Sequence, residues 1–306
     1  MNWFWFAIIA MLCWSGSDIF SKAGCCGEKD KTAHLKMVLA VGLVMGLHAG
    51  YMVFFQDVAI SLEVIWRYLP VSLLYILSMV LGYIGLRYIE LSISSPICNS
   101  SGAVVALTCI IMGAMSDYTR KEQVIILGAV LLICGGVVGL GIVETREDDA
   151  LRAKRQEKAN RKYAKSWLAL CLPIAYCLLD AAGTFADSLV LETLNEDSAN
   201  VAYELTFLAA GLCCLVYLLI RREKFTFKQE VPKYIAAGFE TVGQLFYIYA
   251  LADEEHVMMS APIIASYCVV SSLWARIFLK ERLSVKHYLM IVLVVIGIVI
   301  LGVFDI

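Results

Sequence analysis

The chain has 306 residues, of which 60% are hydrophobic and 17% are charged, and its mean hydropathy is +0.77. Soluble globular chains are about 45–50% apolar and about 25% charged, so this composition excludes a soluble enzyme, a disordered chain and a disulfide-rich secreted module. A formal net charge of −2 argues against nucleic acid as a partner. Most of the eleven cysteines lie in apolar runs, where a thiol behaves as a small hydrophobe.

Ten apolar segments follow one another along the chain, and each is long enough to cross a bilayer. The first has no basic flank and no small-residue cleavage site, so we expect a retained helix rather than a signal peptide. Because an open sheet edge cannot face lipid, we predict an all-α membrane protein with ten transmembrane helices. The segments run over 2–22, 33–55, 66–88, 93–115, 123–143, 167–190, 199–220, 232–252, 257–278 and 285–304.

A stretch dense in both charge signs, residues 144–166, separates the first five segments from the last five. We therefore predict three parts, which are a five-helix repeat over 1–143, the charged linker 144–166 and a second five-helix repeat over 167–306. We interpret the linker as a solvated connection that fixes orientation. The alternative is a short surface helix whose basic residues lie near anionic headgroups.

Lysine and arginine are distributed unevenly between the two sets of loops. The loops after segments 1, 3, 5, 7 and 9, with the adjoining helix ends, hold 22 of the 25 lysines and arginines. These residues mark the cytoplasmic face of a membrane protein. We therefore predict a cytoplasmic linker 144–166, with both termini outside the plasma (inner) membrane.

Matches between the two halves indicate an internal duplication. An odd number of crossings in each half forces the halves into opposite orientations, so the duplication would be a 5+5 inverted repeat. Inverted repeats of this kind build secondary transporters, with the site at the repeat interface. The matched pairs are Trp14 and Tyr176, Asp18 and Asp180, and Gly135 and Gly297, all at a spacing of 162, with Pro96 and Pro262 at 166.

The stretch Ala261–Gly302 resembles the end of a repeat in the drug/metabolite transporter superfamily, EamA-like branch. In that pattern a proline opens the ninth helix, a glutamate follows it and a glycine lies midway along the tenth. The sequence LCWSGSDIF at 12–20 is similar to the opening of the family, whereas Asp117 stands where the first half would carry a glutamate. The matching positions of the second half are Pro262, Glu281 and Gly297.

The resemblance implies transport of a small metabolite. It also implies a central cavity formed by segments 1–4 and 6–9, with segments 5 and 10 as a peripheral scaffold. Family members usually have cytoplasmic termini, whereas the charge pattern of this chain predicts the reverse. The direction of transport therefore stays open.

Four carboxylates lie inside apolar segments, where a charge costs at least about 2.5–3.5 kcal/mol. Glu240 and Asp180 are the main candidates for binding a substrate or a proton, and Asp18 and Glu204 are secondary candidates. The alternatives are structural. Asp18 would pair with Lys22 one turn further along, Asp180 would accept an interhelical hydrogen bond, and Glu204 would belong to an acidic outer surface.

Aromatic residues and one histidine accompany these carboxylates. Aromatic faces combined with carboxylates suit an amine or a quaternary ammonium ion, and ordinary helix packing is the alternative. The glycines at 42, 46 and 50 leave one face of the second segment bare for close helix approach. The predicted cavity-lining residues are Trp14, Tyr176, Tyr203, Phe246, Tyr267 and His48.

The chain contains no phosphate-binding loop and no metal-ligand motif, so we predict no cofactor, no metal site and no catalytic residue. An intramembrane aspartyl hydrolase is the main rival, because Asp18 and Asp180 form a repeat-related pair. Neither residue stands in a G-x-G-D signature. A third hypothesis is a membrane receptor or assembly subunit that transports nothing. The expected partners are a small-molecule substrate, the lipid bilayer and protons, and a homodimer is left open.

Overall fold

The computed structural model describes residues 2–25, 30–88, 91–116, 118–145, 167–278 and 283–304. Within these ranges the chain forms α-helices and one short 3-10 turn, Glu254–His256, without a β-strand. Nearly all of the linker 144–166, together with Asp117 and Glu281, lies outside the described residues. The helices are α1 Trp3–Cys25, α2 Ala33–Phe55, α3 Leu62–Tyr88, α4 Leu91–Cys98, α5 Ser101–Ile111, α6 Arg120–Thr145, α7 Trp167–Leu191, α8 Glu196–Ile220, α9 Phe227–Leu251, α10 Val257–Ala265, α11 Tyr267–Phe278 and α12 Val285–Phe304.

Nine helical stretches in the described part of the chain are long and apolar enough to cross a membrane. The prediction of an all-α, multi-pass membrane protein is confirmed. Helix α9 also has the length of a span, with 25 residues, but it is more polar than the others. It begins at Phe227 rather than at 232, and Glu230 and Lys233 form an ion pair in its first turns. Each of the ten predicted segments therefore corresponds to one helix or to one pair of short helices.

The fourth and ninth predicted segments are the two that break into pairs of short helices. Helix α4 ends at Cys98 before α5 begins, and α10 ends at Ala265 before α11 begins. Each break follows a proline inside the preceding helix, Pro96 in α4 and Pro262 in α10. Proline has no N–H to donate and its ring clashes with the preceding turn. Interrupted helices at corresponding positions of two halves are typical of substrate sites between repeats.

The helices pack in pairs that join the first half to the second. Helix α1 packs on α9, α2 on α8, α3 on α7, α5 on α10, and α6 on α12. The set of pairs is unchanged when the first five segments are exchanged with the last five. An inverted repeat with pseudo-twofold symmetry has this property, so the pairing supports the repeat, which stays a prediction.

Small residues allow two of these pairs to approach closely. A Cβ on Gly42 of α2 would lie 2.6 Å from the carbonyl oxygen of Phe207 in α8. A Cβ on Gly297 of α12 would lie 2.7 Å from the carbonyl oxygen of Ala129 in α6. In lipid, helices associate through such close backbone packing rather than through the hydrophobic effect.

Candidate functional site

A cavity opens between helices α1, α3, α4, α7, α8, α9 and α11. Its empty space is about 700 Å³, including a part that is open to solvent. Of the segments that the resemblance assigns to a central cavity, all except the second contribute to this lining.

Three of the four predicted carboxylates line this cavity, namely Asp18, Asp180 and Glu240. Each accepts hydrogen bonds from serine hydroxyls on other helices, and such bonds orient a carboxylate while leaving its charge in place. The bonds run from Ser17 Oγ to Glu240 Oε2 at 2.6 Å, from Ser95 Oγ and Ser271 Oγ to Asp18 Oδ2 at 2.6 and 3.0 Å, and from Ser101 Oγ to Asp180 Oδ2 at 2.7 Å.

The two serines that bind Asp18 come from the two interrupted segments. Ser95 lies in α4 and Ser271 lies in α11. Asp18 on α1 thus holds both interrupted segments at one carboxylate oxygen. The predicted alternative for Asp18 was an ion pair with Lys22, and the ammonium of Lys22 donates to the carbonyl oxygen of Leu86 at 3.0 Å.

The charge of the cavity is one-sided. Among the residues that line it in the described part of the chain, three are carboxylates and none is a lysine or an arginine. Opposite charges attract more strongly where water is scarce. The cavity can therefore attract a cation or take up protons.

Aromatic rings form much of the remaining wall. Trp14 of α1 contacts two tyrosine rings, with its ring centroid 4.9 Å from that of Tyr247 in α9 and 5.9 Å from that of Tyr267 in α11. Tyr176 and Tyr203 also line the cavity. Phe246 lies outside this lining and packs against Phe6 at 6.0 Å.

Four buried polar atoms of the lining residues have no hydrogen-bond partner in the described part of the protein. Buried polar groups are normally paired, so each such atom needs an explanation. All four belong to side chains that line the same cavity, where they can bind a polar solute. They are Trp14 Nε1, Ser21 Oγ, the Tyr83 hydroxyl oxygen and Gln244 Nε2.

Residues 167–303 match the model of the EamA-like transporter family. Over this part of its length the chain is similar to EamA-like transporters. The match includes the stretch Ala261–Gly302 and confirms the resemblance. EamA-like proteins are transporters of small molecules rather than enzymes, which supports a membrane transporter and speaks against the hydrolase.

The fold of the chain also occurs among solved structures, and 27 of their chains match it. One is a crystal structure that is 13% identical, with a TM-score of 0.66. The match covers 99% of this chain and 96% of the other. At that identity the likeness concerns the fold alone. No curated protein matches the sequence significantly.

Glu204 and His48 form a polar pair away from the cavity lining. His48 Nδ1 lies 2.7 Å from Glu204 Oε1, which joins α2 to α8. Glu204 is fully buried, so it does not belong to an outer acidic surface. The side chain of His48 is 25% exposed. Of the predicted binding residues, these two therefore lie at a helix interface.

Asp187 is a buried carboxylate that the sequence analysis did not single out. It is fully buried in α7, where the hydroxyl oxygen of Tyr68 lies 2.6 Å from Oδ1 and the hydroxyl oxygen of Tyr75 lies 3.2 Å from Oδ2. A signal was present in the sequence. Asp187 follows Asp180 by seven residues, which places both on one face of a helix.

A second charged cluster lies where α2 and α9 begin. Lys36 Nζ lies 2.8 Å from Asp30 and 3.6 Å from Glu230, and Lys233 Nζ lies 3.0 Å from Glu230. Partial burial acts to raise the pKa of Asp30. The hydrogen bond and charge of Lys36, with two donors of Thr32, outweigh burial and hold the pKa below its usual range.

Proposed function

We propose that this protein is a secondary transporter that carries a small cationic or amine-bearing metabolite through the central cavity by alternating access. The observation that supports this proposal is the acidic lining, in which Asp18, Asp180 and Glu240 have no lysine or arginine beside them among the described lining residues. A carboxylate in a site of low dielectric stabilises a bound cation. The faces of Trp14 and Tyr267 add cation–π attraction.

Protons are the proposed coupling ion. A carboxylate can bind either a proton or a cationic substrate, so the two compete for the same oxygen atoms. Such competition links the movement of one to the movement of the other. Exchange of two substrates without an ion is the alternative.

The interrupted helices support alternating access as the mechanism. Asp18 accepts hydrogen bonds from Ser95 and Ser271, and these serines lie in the segments that are broken after Pro96 and Pro262. A substrate that competes for Asp18 would loosen both segments from α1 together.

We further propose cytoplasmic placement of the linker 144–166, with both termini outside the plasma membrane.

The test is transport by the full chain in proteoliposomes. The panel contains primary amines, quaternary amines, neutral amino acids and sugars, each with and without a pH gradient. We expect Glu240→Gln to lower the rate for amines by roughly 10–100-fold, because a charge-assisted contact contributes about 1.5–3 kcal/mol. Glu254→Gln is the matched control, since Glu254 is exposed in the turn Glu254–His256.

The outcomes separate the alternatives. Transport of sugars or neutral amino acids alone would contradict the cationic substrate. Equal loss in Glu240→Gln and Glu254→Gln would contradict a role for the cavity carboxylate. No transport and no proton movement for any member of the panel would favour a receptor or an assembly subunit.

A further inference from the structure

Asp187 is buried without a counter-ion in the described part of the protein. Its exposure is zero, and the groups that contact its two oxygens are the hydroxyls of Tyr68 and Tyr75 in α3. The other titratable groups around it are Tyr203 on α8, Tyr247 on α9 and Asp180 on its own helix. Tyrosine is neutral at physiological pH. An ionised Asp187 would therefore be an unpaired charge, which is costly inside a membrane.

A continuous row of hydroxyl groups leads away from Asp187. The hydroxyl of Tyr75 contacts both Asp187 Oδ2 and the hydroxyl of Tyr247. Tyr247 donates to Thr184 Oγ1 at 2.8 Å, and Thr184 donates to the carbonyl oxygen of Asp180 at 2.9 Å. Tyr75 also lines the central cavity. The row thus connects a buried carboxyl group to the cavity wall.

The number of hydrogens in this row depends on the protonation of Asp187. Each hydroxyl has one hydrogen to donate. The hydrogen of Thr184 goes to a carbonyl, and that of Tyr247 goes to Thr184. The contact between Tyr75 and Tyr247 therefore needs the hydrogen of Tyr75, and then none remains for the contact between Tyr75 and Asp187.

A protonated Asp187 supplies the missing hydrogen. Its Oδ2–H donates to the oxygen of Tyr75, Tyr75 donates to Tyr247, and every hydroxyl in the row then donates once. If Asp187 is ionised, Tyr75 must turn its hydrogen to the carboxylate. The close contact between the oxygens of Tyr75 and Tyr247 is then left without a hydrogen, or Tyr247 must give up its bond to Thr184.

We propose that Asp187 is a proton-binding site, separate from the carboxylates of the cavity, which holds a proton in this conformation and exchanges it with the cavity through Tyr75. On release, the Asp187 O–H bond breaks and its proton forms a new bond to the oxygen of Tyr75. Tyr75 passes its own proton to one of the cavity carboxylates, so the tyrosine ends neutral, Asp187 ends ionised and that cavity carboxylate ends protonated. The link between this proton and substrate movement rests on the proposed transport function.

Gly183 leaves the space that this arrangement requires. A Cβ at Gly183 would lie 2.8 Å from Cε1 of Tyr75. The ring of Tyr75 can lie against α7 because residue 183 has no side chain. Gly183→Ala therefore displaces the ring of Tyr75 without removing a titratable group. This variant changes only the position of the Tyr75 hydroxyl relative to Asp187.

The first experiment is an infrared pH titration of the full chain in lipid vesicles, which follows the C=O band of protonated carboxyl groups. It needs no substrate, so it tests the proton site whether or not transport is found. In the wild type, we expect one C=O band to disappear as the pH is raised. The same band should be absent from Asp187→Asn at every pH, and the control Glu254→Gln should show it as the wild type does. A titrating band of full size in Asp187→Asn, or no titrating band in the wild type, would overturn the proposal.

If Asp187→Asn does not fold, two further variants test whether Asp187 exchanges its proton through Tyr75. Tyr75→Phe removes the hydroxyl that contacts Asp187, and Gly183→Ala moves it. In each variant we expect the Asp187 band to persist at a changed frequency or a changed midpoint pH. A band unchanged in both would contradict the connection through Tyr75.

The second experiment tests the coupling, with methylammonium and tetramethylammonium as probes. We expect Asp187→Asn to keep exchange of the probe across the vesicle membrane and to lose the accumulation driven by a pH gradient. Accumulation equal to that of the wild type would refute the coupling role. Absence of probe transport in the wild type counts against the proposed function, while the infrared titration still decides the proton site.

Discussion

At the scale of single residues, serine hydroxyls determine the character of the cavity. Glu240 has the hydroxyl of Ser17 at 2.6 Å, and Asp180 has that of Ser101 at 2.7 Å. A lysine in either place would neutralise the carboxylate and remove its attraction for a cation. A serine stabilises the carboxylate through a hydrogen bond and leaves its negative charge available.

Asp30 provides a prediction about pH. Its pKa is lowered in the folded protein, so the stability that it contributes is present at neutral pH and is lost as the pH falls through the folded-state pKa. We expect Asp30→Asn to unfold more readily than the wild type at pH 7. The difference should begin to shrink as the pH falls below about 4, the ordinary pKa of aspartate, and should disappear only below the lowered folded-state pKa, where the carboxyl group is protonated in both states.

The measurement is the unfolding midpoint in detergent at several pH values. Glu223→Gln is a suitable control, because Glu223 is not part of the cluster of Asp30, Lys36 and Glu230. If the unfolding midpoint of Asp30→Asn stayed below that of the wild type by the same amount from pH 7 to well below pH 4, the charge of Asp30 would contribute nothing to stability through its pairing with Lys36.

At the scale of helices, close packing of α2 on α8 joins the first half of the chain to the second. The Cα atom of Gly42 lies 3.3 Å from the position that a Cβ on Gly211 would occupy. Of the three glycines predicted to form one bare face, Gly42 meets backbone, Gly46 meets the side chain of Leu208, and Gly50 meets nothing within 4 Å. The three positions therefore tolerate substitution differently.

We expect Gly42→Ala to destabilise the protein by about 1–3 kcal/mol, the usual cost of forcing an extra methyl group into a packed interface. The reason is the 2.6 Å distance between a Cβ at this position and the carbonyl oxygen of Phe207. Gly50→Ala is the matched control and should leave stability unchanged or slightly higher, since alanine favours the helix. Equal unfolding midpoints in detergent for the two variants would contradict this account of the interface.

At the scale of the whole molecule, every main helix pair joins one half of the chain to the other. The two halves therefore form a single packed unit, and the cavity lies between them. The uneven distribution of 22 of the 25 lysines and arginines predicts an orientation for this unit in the membrane. The orientation determines which end of the cavity faces the cytoplasm.

A single cysteine introduced into the linker 144–166 tests that orientation on a background without reactive native cysteines. We expect it to be shielded from a membrane-impermeant thiol reagent in intact cells and to react after the cells are opened. A cysteine at Ser61, which is exposed in the connection between α2 and α3, should react in intact cells. The reverse pattern would place both termini in the cytoplasm.

The candidate site was predicted in part, and the reason is physical. Asp18, Asp180 and Glu240 could be identified because a charge inside an apolar segment is costly unless it has a function. Asp187 was missed because it lies near the predicted end of its segment, where a carboxylate can reach water. The serine donors were missed because a small neutral hydroxyl carries no such penalty in an apolar helix.

Neighbouring residues on a helix face different directions, and this also limited the prediction. Successive side chains are rotated by about 100°, so Phe246 and Tyr247 cannot both face the same space. Tyr247 contacts Trp14 and Tyr75, whereas Phe246 packs against Phe6. The sequence analysis named Phe246, whereas in the structure it is Tyr247 that contacts Trp14 and Tyr75.

The sequence by itself determined the all-helical membrane fold, the ten segments and the acidic interior. These features follow from burial costs that each residue carries wherever its partners are. Only the tertiary structure decided which hydroxyls meet which carboxylates, because Asp18 binds Ser95 and Ser271 across 77 and 253 residues of sequence. Such contacts depend on which helix faces meet, and small residues at the packed interfaces decide that.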